Sequence, residues 1–163
     1  MADRHRAYDA SAAEDGRNAG RRSGDGTAGG AHRIDEHALE HLHILVIDDD
    51  ETICEALAEA LEQYGAYVAC APSAAAALER LTREHFDIAC SDLEMTGGSG
   101  LSLARALRAR EDEGQRLPLI AVTGLFGEEL EASIRLAGFD AYVPKPVDVE
   151  LLARRVRSLV DKS

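Results

Sequence analysis

The chain has 163 residues, 45% of them hydrophobic, which suffices for one domain with a real core but not for two of ordinary size. Thirty Asp and Glu against eighteen Lys and Arg give a formal charge of -12, which repels nucleic-acid backbones and anionic lipid and argues against direct binding to either. No apolar run reaches the length of a membrane span, the N-terminus lacks the apolar core of a signal peptide, and Cys54, Cys70 and Cys90 are scattered and odd in number, so a cytoplasmic protein with reduced cysteines is expected.

From Met1 to Arg33 there is no Leu, Ile, Val, Phe or Trp, so nothing there offsets the entropy of ordering. Residues 1–40 are expected to be a disordered N-terminal tail, with Ile34, Leu39 and Leu42 allowing a short helical turn just before the fold. At His43 the pattern changes to short apolar runs alternating with amphipathic stretches. His43 to Ile47 predicts a strand, and Glu51 to Tyr64 a helix with Ile53, Ala56, Leu57, Ala60 and Leu61 on one face and Gly65 as its C-cap. Tyr67 to Ala71 reads as the second strand and Ser73 as the N-cap of a helix from Ala74 to Arg83. Phe86, Ile88, Ala89 and Cys90 make the third strand, Asp92 to Ser99 a glycine-rich loop, and Leu101 to Arg110 the third helix. Leu117 to Val122 predicts strand four, Glu128 to Leu136 a helix ended by Gly138, Ala141 to Val143 strand five, and Asp148 the cap of a last helix from Val149 to about Val160.

Five strands alternating with five helices imply an α/β fold, a five-stranded doubly wound parallel sheet with helices on both faces. Ligands of such sheets bind beyond the C-terminal ends of the strands. There the chain places Asp48 and Asp49 after strand one, Asp92 after strand three, Thr123 after strand four, and Lys145 after strand five and Pro144. Crowded carboxylates disfavour one another's ionisation unless a cation neutralises them, and hard oxygen ligands with open positions suit Mg²⁺. A carboxylate surrounded by metal, hydroxyl and ammonium is built to carry a phosphoryl group.

Two resemblances compete for these residues. The haloacid-dehalogenase-type phosphatases carry an apolar strand followed by D-x-D-x-T, which Asp48 to Thr52 spell, and that family's pattern implies Asp48 as nucleophile. Their further acidic pair beyond the lysine is missing here, and Asp92 is left without a role. From Ile44 to Val160 the chain instead resembles the receiver domain of two-component response regulators, through ILVIDDDE, FDIACSDLEMTGGSGL, LPLIAVTG and AGFDAYVPKPVD in the family's order and spacing. The last stretch is similar to receivers attached to hybrid kinases, while the overall length resembles single-domain chemotaxis-type regulators.

The receiver resemblance implies a domain over residues 41–163 with Asp92 as phosphoacceptor. It implies Mg²⁺ held by Asp49 directly, by Asp48 through water, by Asp92, and by the backbone carbonyl of Glu94. It further implies Lys145 and Thr123 as partners of the phosphoryl group and Tyr142 as the aromatic that moves inward with Thr123. The implied donor is a histidine kinase or histidine phosphotransfer protein, and the output a protein–protein contact with no effector domain, no nucleic acid and no membrane. A receiver is a self-phosphorylating and self-dephosphorylating signalling domain rather than a turnover enzyme; a phosphorelay intermediate or phosphate sink is the alternative. Thr96, where the family has proline, and Ser99, where it often has aspartate, depart from its pattern, and Glu94 and Leu125 stand where the family tunes hydrolysis of the acyl phosphate.

The remaining charges have plainer readings. Asp50 and Glu51 suit the first turn of a helix, and Gly97, Gly98 and Gly100 serve backbone bends, since their spacing matches no phosphate-binding loop. Arg154, Arg155 and Arg157 on the last helix are candidates for a partner surface or a solvated face. Deleting residues Met1 to Arg33 is expected to leave Mg²⁺-dependent phosphorylation intact, measured as label incorporated from a phosphodonor; lost labelling would show that the tail is not passive.

Overall fold

The computed structural model describes residues 33–112, 114 and 116–163, so the expected tail lies outside the described residues as far as residue 32. The elements in chain order are β1 (His43–Ile47), α1 (Glu51–Glu62), β2 (Tyr67–Ala71), α2 (Ala74–Arg83), β3 (Ile88–Asp92), β4 (Glu94–Met95), β5 (Gly98–Ser99), α3 (Gly100–Arg108), β6 (Leu119–Thr123), α4 (Glu128–Ala137), β7 (Ala141–Pro144) and α5 (Val149–Val160). Five strands form one parallel sheet in the order β2-β1-β3-β6-β7, and β4 and β5 pair as a small antiparallel hairpin. This is the doubly wound fold expected, with its switch point between β1 and β3.

The apolar run Ile44–Ile47 is continuous because both faces of its strand are covered. Ile44 and Val46 pack in a core with Cys54, Leu57 and Leu61 of α1 and Leu152, Ala153 and Val156 of α5. Leu45 and Ile47 pack in a second core with Ala77 of α2, Leu103 and Leu107 of α3 and Ile134 of α4. Asp50, Ser73, Ser99 and Asp148 each accept a backbone N–H from the first turn of the helix that follows, a cap worth about 1 kcal/mol apiece. The opposite ends of two helices need glycine: Gly138 closes α4 at φ +106°, and Gly65 follows α1 at φ +90°.

The structure shifts several element ends by one or two residues, as where β6 runs Leu119–Thr123 rather than Leu117–Val122, and differs more substantially in three places. β3 runs from Ile88 to Asp92 rather than over Phe86 to Cys90, because pairing with β1 sets Ile88 opposite Ile44 and pairing with β6 sets Asp92 opposite Val122. Phe86 is buried in the second core ahead of the strand. The segment expected as a plain loop after Asp92 contains the β4–β5 hairpin, whose turn uses Gly97 at φ +84°. At the N-terminus, residues 33–40, assigned to the tail by composition, lie against the domain: Leu39 is 0% exposed in the α1/α5 core. Its N–H donates to the Tyr64 carbonyl at 2.9 Å, the Ile34 N–H donates to Glu150 Oε1 at 3.1 Å, and the Tyr67 N–H donates to the Leu42 carbonyl at 2.8 Å. One leucine supplies enough buried area to dock a short polar segment, which average composition conceals. Replacing it, Leu39→Ala, is expected to lower unfolding free energy by about 2–5 kcal/mol in a denaturant titration, as a core truncation does; a loss near zero would mean that the segment is not part of the core.

Candidate functional site

Register alone brings the acids together. Ile47 of β1 is level with Ser91 of β3, so Asp48 and Asp92 stand one step further along neighbouring strands. Asp92 is level with Val122 of β6, and Thr123 with Pro144 of β7. Side chains alternate along a strand. Val46, Cys90 and Val143 face the α1/α5 core, and Asp48, Asp92 and Lys145 continue that parity two residues later. Thr123 and Tyr142 have the opposite parity, toward α4.

Oxygens of the Asp48, Asp49 and Asp92 carboxylates all lie within 4.8 Å of one another. Asp48 and Asp92 are buried at 4% and 7% exposure, whereas Asp49 is open to solvent. Lys145 Nζ stands 3.1 Å from Asp48 Oδ2 and 3.5 Å from Asp92 Oδ2. Partial burial pulls the Lys145 ammonium down, but the hydrogen bond to Asp48 and the charges of Asp92 and Asp48 outweigh it and raise the net value. Three carboxylates against one ammonium leave two negative charges uncompensated, the charge of one divalent cation. An all-oxygen donor set with one member open to water fits a hard cation such as Mg²⁺ and suits a thiolate-seeking metal poorly.

Backbone N–H groups hold each acid in place. Asp50 donates to Asp48 Oδ1 at 2.9 Å, Glu94 to Asp92 Oδ1 at 3.2 Å, and Thr96 to Asp49 Oδ2 at 2.7 Å. The Thr96 backbone bond, helped by its side chain, holds the Asp49 carboxyl below the usual carboxylate range. That preference adds stability at pH above the ordinary carboxylate value and is lost as acid titrates the group through its lowered pKa. Behind Asp92 the chain doubles back so closely that a Cβ on Gly100 would lie 2.2 Å from the Asp92 carbonyl oxygen, so only glycine lets α3 begin there. Thr123 is 0% exposed; its Oγ1 accepts the Leu125 N–H at 3.0 Å, and its carbonyl accepts the Lys145 N–H at 2.8 Å, which ties the lysine's backbone to β6.

The structure thus gathers Asp48, Asp49, Asp92 and Lys145 at one point of the rim with Thr123 on the neighbouring strand end. Glu94 sits in β4 with its side chain exposed and its N–H on Asp92. Tyr142 stands apart: its ring is 40% exposed and its hydroxyl donates to Glu131 Oε1 of α4 at 2.8 Å. Thr96 and Glu131 are contributions that sequence reasoning missed. Thr96 acts through a backbone N–H, helped by its side chain, that a proline at this position would lack, so its departure from the family pattern was the one available signal. Glu131 meets Tyr142 only through the packing of α4 beside β7 and leaves no motif.

The bond to Glu131 raises the Tyr142 phenol, since losing its proton would set two anions side by side. The contribution of that bond is full below the ordinary tyrosine value and disappears as pH climbs through the raised one. In Glu131→Gln the Tyr142 titration, followed by phenolate absorbance against a Tyr142→Phe control, is expected to shift to lower pH; an unmoved midpoint would show that the bond is not populated in solution.

Comparison with known proteins covers the same stretch of chain. The response regulator receiver domain family matches residues 44–157. Over 117 residues the chain is 31% identical to the CAI-1 autoinducer sensor kinase/phosphatase CqsS of Vibrio cholerae, a match covering 72% of this chain and 17% of that protein. Over 122 residues it is 33% identical to the two-component response regulator PhoP of Pseudomonas aeruginosa, covering 75% of this chain and 53% of the relative. The chain therefore spans about half of one curated relative and under a fifth of the other. A CheY-like response regulator receiver domain protein from Methanospirillum hungatei, solved by crystallography, matches with a TM-score of 0.67 at 30% identity, covering 76% of this chain and 96% of that one. With the sheet order, the acidic rim and a family match that encloses Asp48, Asp49, Asp92, Thr123 and Lys145, the chain belongs to the response regulator receiver domain family.

Proposed function

We propose that the chain is a cytoplasmic phosphoacceptor that takes a phosphoryl group onto Asp92 from a histidine kinase or histidine phosphotransfer protein, in a Mg²⁺-dependent step, and signals through protein–protein contacts. The observation that carries this reading is the Lys145 ammonium shared between buried Asp48 and Asp92, with Asp49 beside them at the solvent edge. Asp49, Asp92 and the Glu94 carbonyl would hold the Mg²⁺ directly and Asp48 through water, and the ion would supply charge neutralisation for the incoming phosphoryl oxygens.

An Asp92 carboxylate oxygen attacks phosphorus, the bond from phosphorus to the donor's imidazole nitrogen breaks, and the imidazole leaves with the electron pair. Lys145 is already placed to follow the negative charge from carboxylate to phosphoryl oxygen, and the Thr123 hydroxyl turns to donate to another. Drawing Thr123 toward the phosphoryl group opens the space into which Tyr142 turns, at the cost of its bond to Glu131. The surface between α4 and α5 changes with it. That surface contains a cleft of about 370 Å³ lined by Ile134, Phe139, Tyr142, Leu151 and Arg155. Arg154 and Arg157 on the same helix pair with Glu150 and Asp161. Each chain carries one phosphoryl group rather than turning over a substrate.

The likeness to a sensor kinase/phosphatase supports a second reading, in which Asp92 relays its phosphoryl group onward or acts as a phosphate sink. Back-transfer to a phosphorylatable histidine domain separates the relay from the terminal switch. The phosphatase reading with Asp48 as nucleophile lacks support from the family match, which is to response regulator receivers over residues 44–157. Among the described residues no helix is long and apolar enough to cross a membrane, and the net charge of -12 disfavours contact with nucleic-acid backbones.

Incubated with a small acyl-phosphate donor and Mg²⁺, the chain is expected to incorporate one phosphoryl group that Asp92→Asn abolishes. Labelling that survives Asp92→Asn and is lost in Asp48→Asn would overturn the assignment. Without any donor, Mg²⁺ at a hundredfold excess over its Kd is expected to raise unfolding free energy by about 2.7 kcal/mol, an effect missing in Asp49→Asn and reversed by a chelator.

A further inference from the structure

The three cysteines belong to one layer of the α1/α5 core. Val46 of β1 is level with Cys70 on one neighbouring strand and with Cys90 on the other, so the three stand abreast on the same face. Strands lie 4.7–4.9 Å apart, which sets Cys70 and Cys90 about 9–10 Å apart at Cα, beyond the roughly 7 Å a disulfide can bridge. Cys54 comes down onto this layer from α1. Its Sγ donates at 3.5 Å to the carbonyl of Val46, the residue level with Cys70, so Cys54 and Cys70 both flank Val46 in the same core layer.

Access differs among them. Cys54 and Cys90 are 3% and 1% exposed, whereas Cys70 is half-buried on β2, the edge strand of the sheet. Burial, reinforced by the neighbouring Cys70, pushes the Cys54 thiol up, and burial alone pushes Cys90 up to about 12. Neither is suited to meet an oxidant first, which leaves Cys70 as the entry point.

We infer that Cys54 and Cys70 are a reversible oxidation site, at which a hydroperoxide converts two thiols into one intrachain disulfide joining α1 to β2. Cys70 sulfur attacks the terminal peroxide oxygen, the O–O bond breaks, and the leaving oxygen departs with a proton, giving a sulfenic acid. Cys54 sulfur then attacks the Cys70 sulfur. The S–O bond breaks and the hydroxyl leaves as water with the Cys54 proton, so two thiols are oxidised by two electrons and the hydroperoxide is reduced by two. The bond lies one turn below the metal rim: the Cys54 N–H donates to the carbonyl of Asp50, which caps the helix directly after Asp48 and Asp49. Oxidation would thereby fasten the helix that leads out of two of the three rim acids. The inference does not depend on phosphotransfer.

The test treats the purified full chain with hydrogen peroxide under native conditions, then counts thiols in denaturant and maps peptides without reductant. Free thiols are expected to fall from three to one, with the chain mass lower by two hydrogen atoms, a Cys54–Cys70 peptide pair, and full recovery in dithiothreitol. Cys90→Ala should fall from two thiols to none, and Cys70→Ala should keep both of its own. Three thiols persisting, a bond to Cys90 or between chains, or Cys70 driven to sulfinic acid while Cys54 stays a thiol would each overturn the inference.

Discussion

A single ammonium, that of Lys145, stands between two buried carboxylates, and the functional end of the molecule is arranged around it. Like charges about 4 Å apart repel by on the order of 4 kcal/mol at the effective dielectric of a protein surface, so three acids within 4.8 Å need a counter-charge. Lys145 comes from β7, two strands away from β3 and three from β1. Its long side chain crosses the end of β6 to reach them, and its own backbone is pinned to Thr123 there. One positive charge against three negative leaves the site short of balance. That imbalance is the physical basis for the divalent cation proposed at this rim.

The scaffold concentrates this charge by ordinary means. Parallel strands with right-handed crossovers bring every strand's C-terminal end to one rim, and apolar helices on both faces keep that rim rigid. Parity along each strand then decides which side chains meet: Asp48, Asp92 and Lys145 continue one face, while Thr123 and Tyr142 continue the other. Three backbone N–H groups, from Asp50, Glu94 and Thr96, offset part of the repulsion and aim the carboxylates. Two of these three come from the segment that follows Asp92, which is why the hairpin and the glycine at position 100 matter to the site despite contributing no reacting side chain.

The two flanks of the rim carry different devices. On the α4 side the Tyr142–Glu131 bond holds an aromatic ring outward at the edge of a cleft. On the α1 side the thiols of Cys54 and Cys70 lie in the core layer beneath the helix that follows Asp48 and Asp49. The first is proposed to respond to charge at Asp92 through Thr123. The second is inferred to respond to oxidation, and both border the same three carboxylates.

Much of this was legible in the chain itself. The 2.0 and 3.6 periodicities marked five strand–helix units, capping residues at Ser73 and Asp148 marked helix starts, and the residues at strand ends marked Asp48, Asp49, Asp92, Thr123 and Lys145 as one rim. These signals are local, or follow from the single handedness of parallel crossovers, so no three-dimensional detail is needed to read them. The tertiary structure alone decided the rest. Register set β3 at Ile88–Asp92, a docking leucine drew residues 33–40 onto the domain, a short hairpin formed after Asp92, and Tyr142 found Glu131 rather than Thr123. Each depends on which distant backbone or side chain is within reach, and contacts of that kind leave no period or spacing in the sequence.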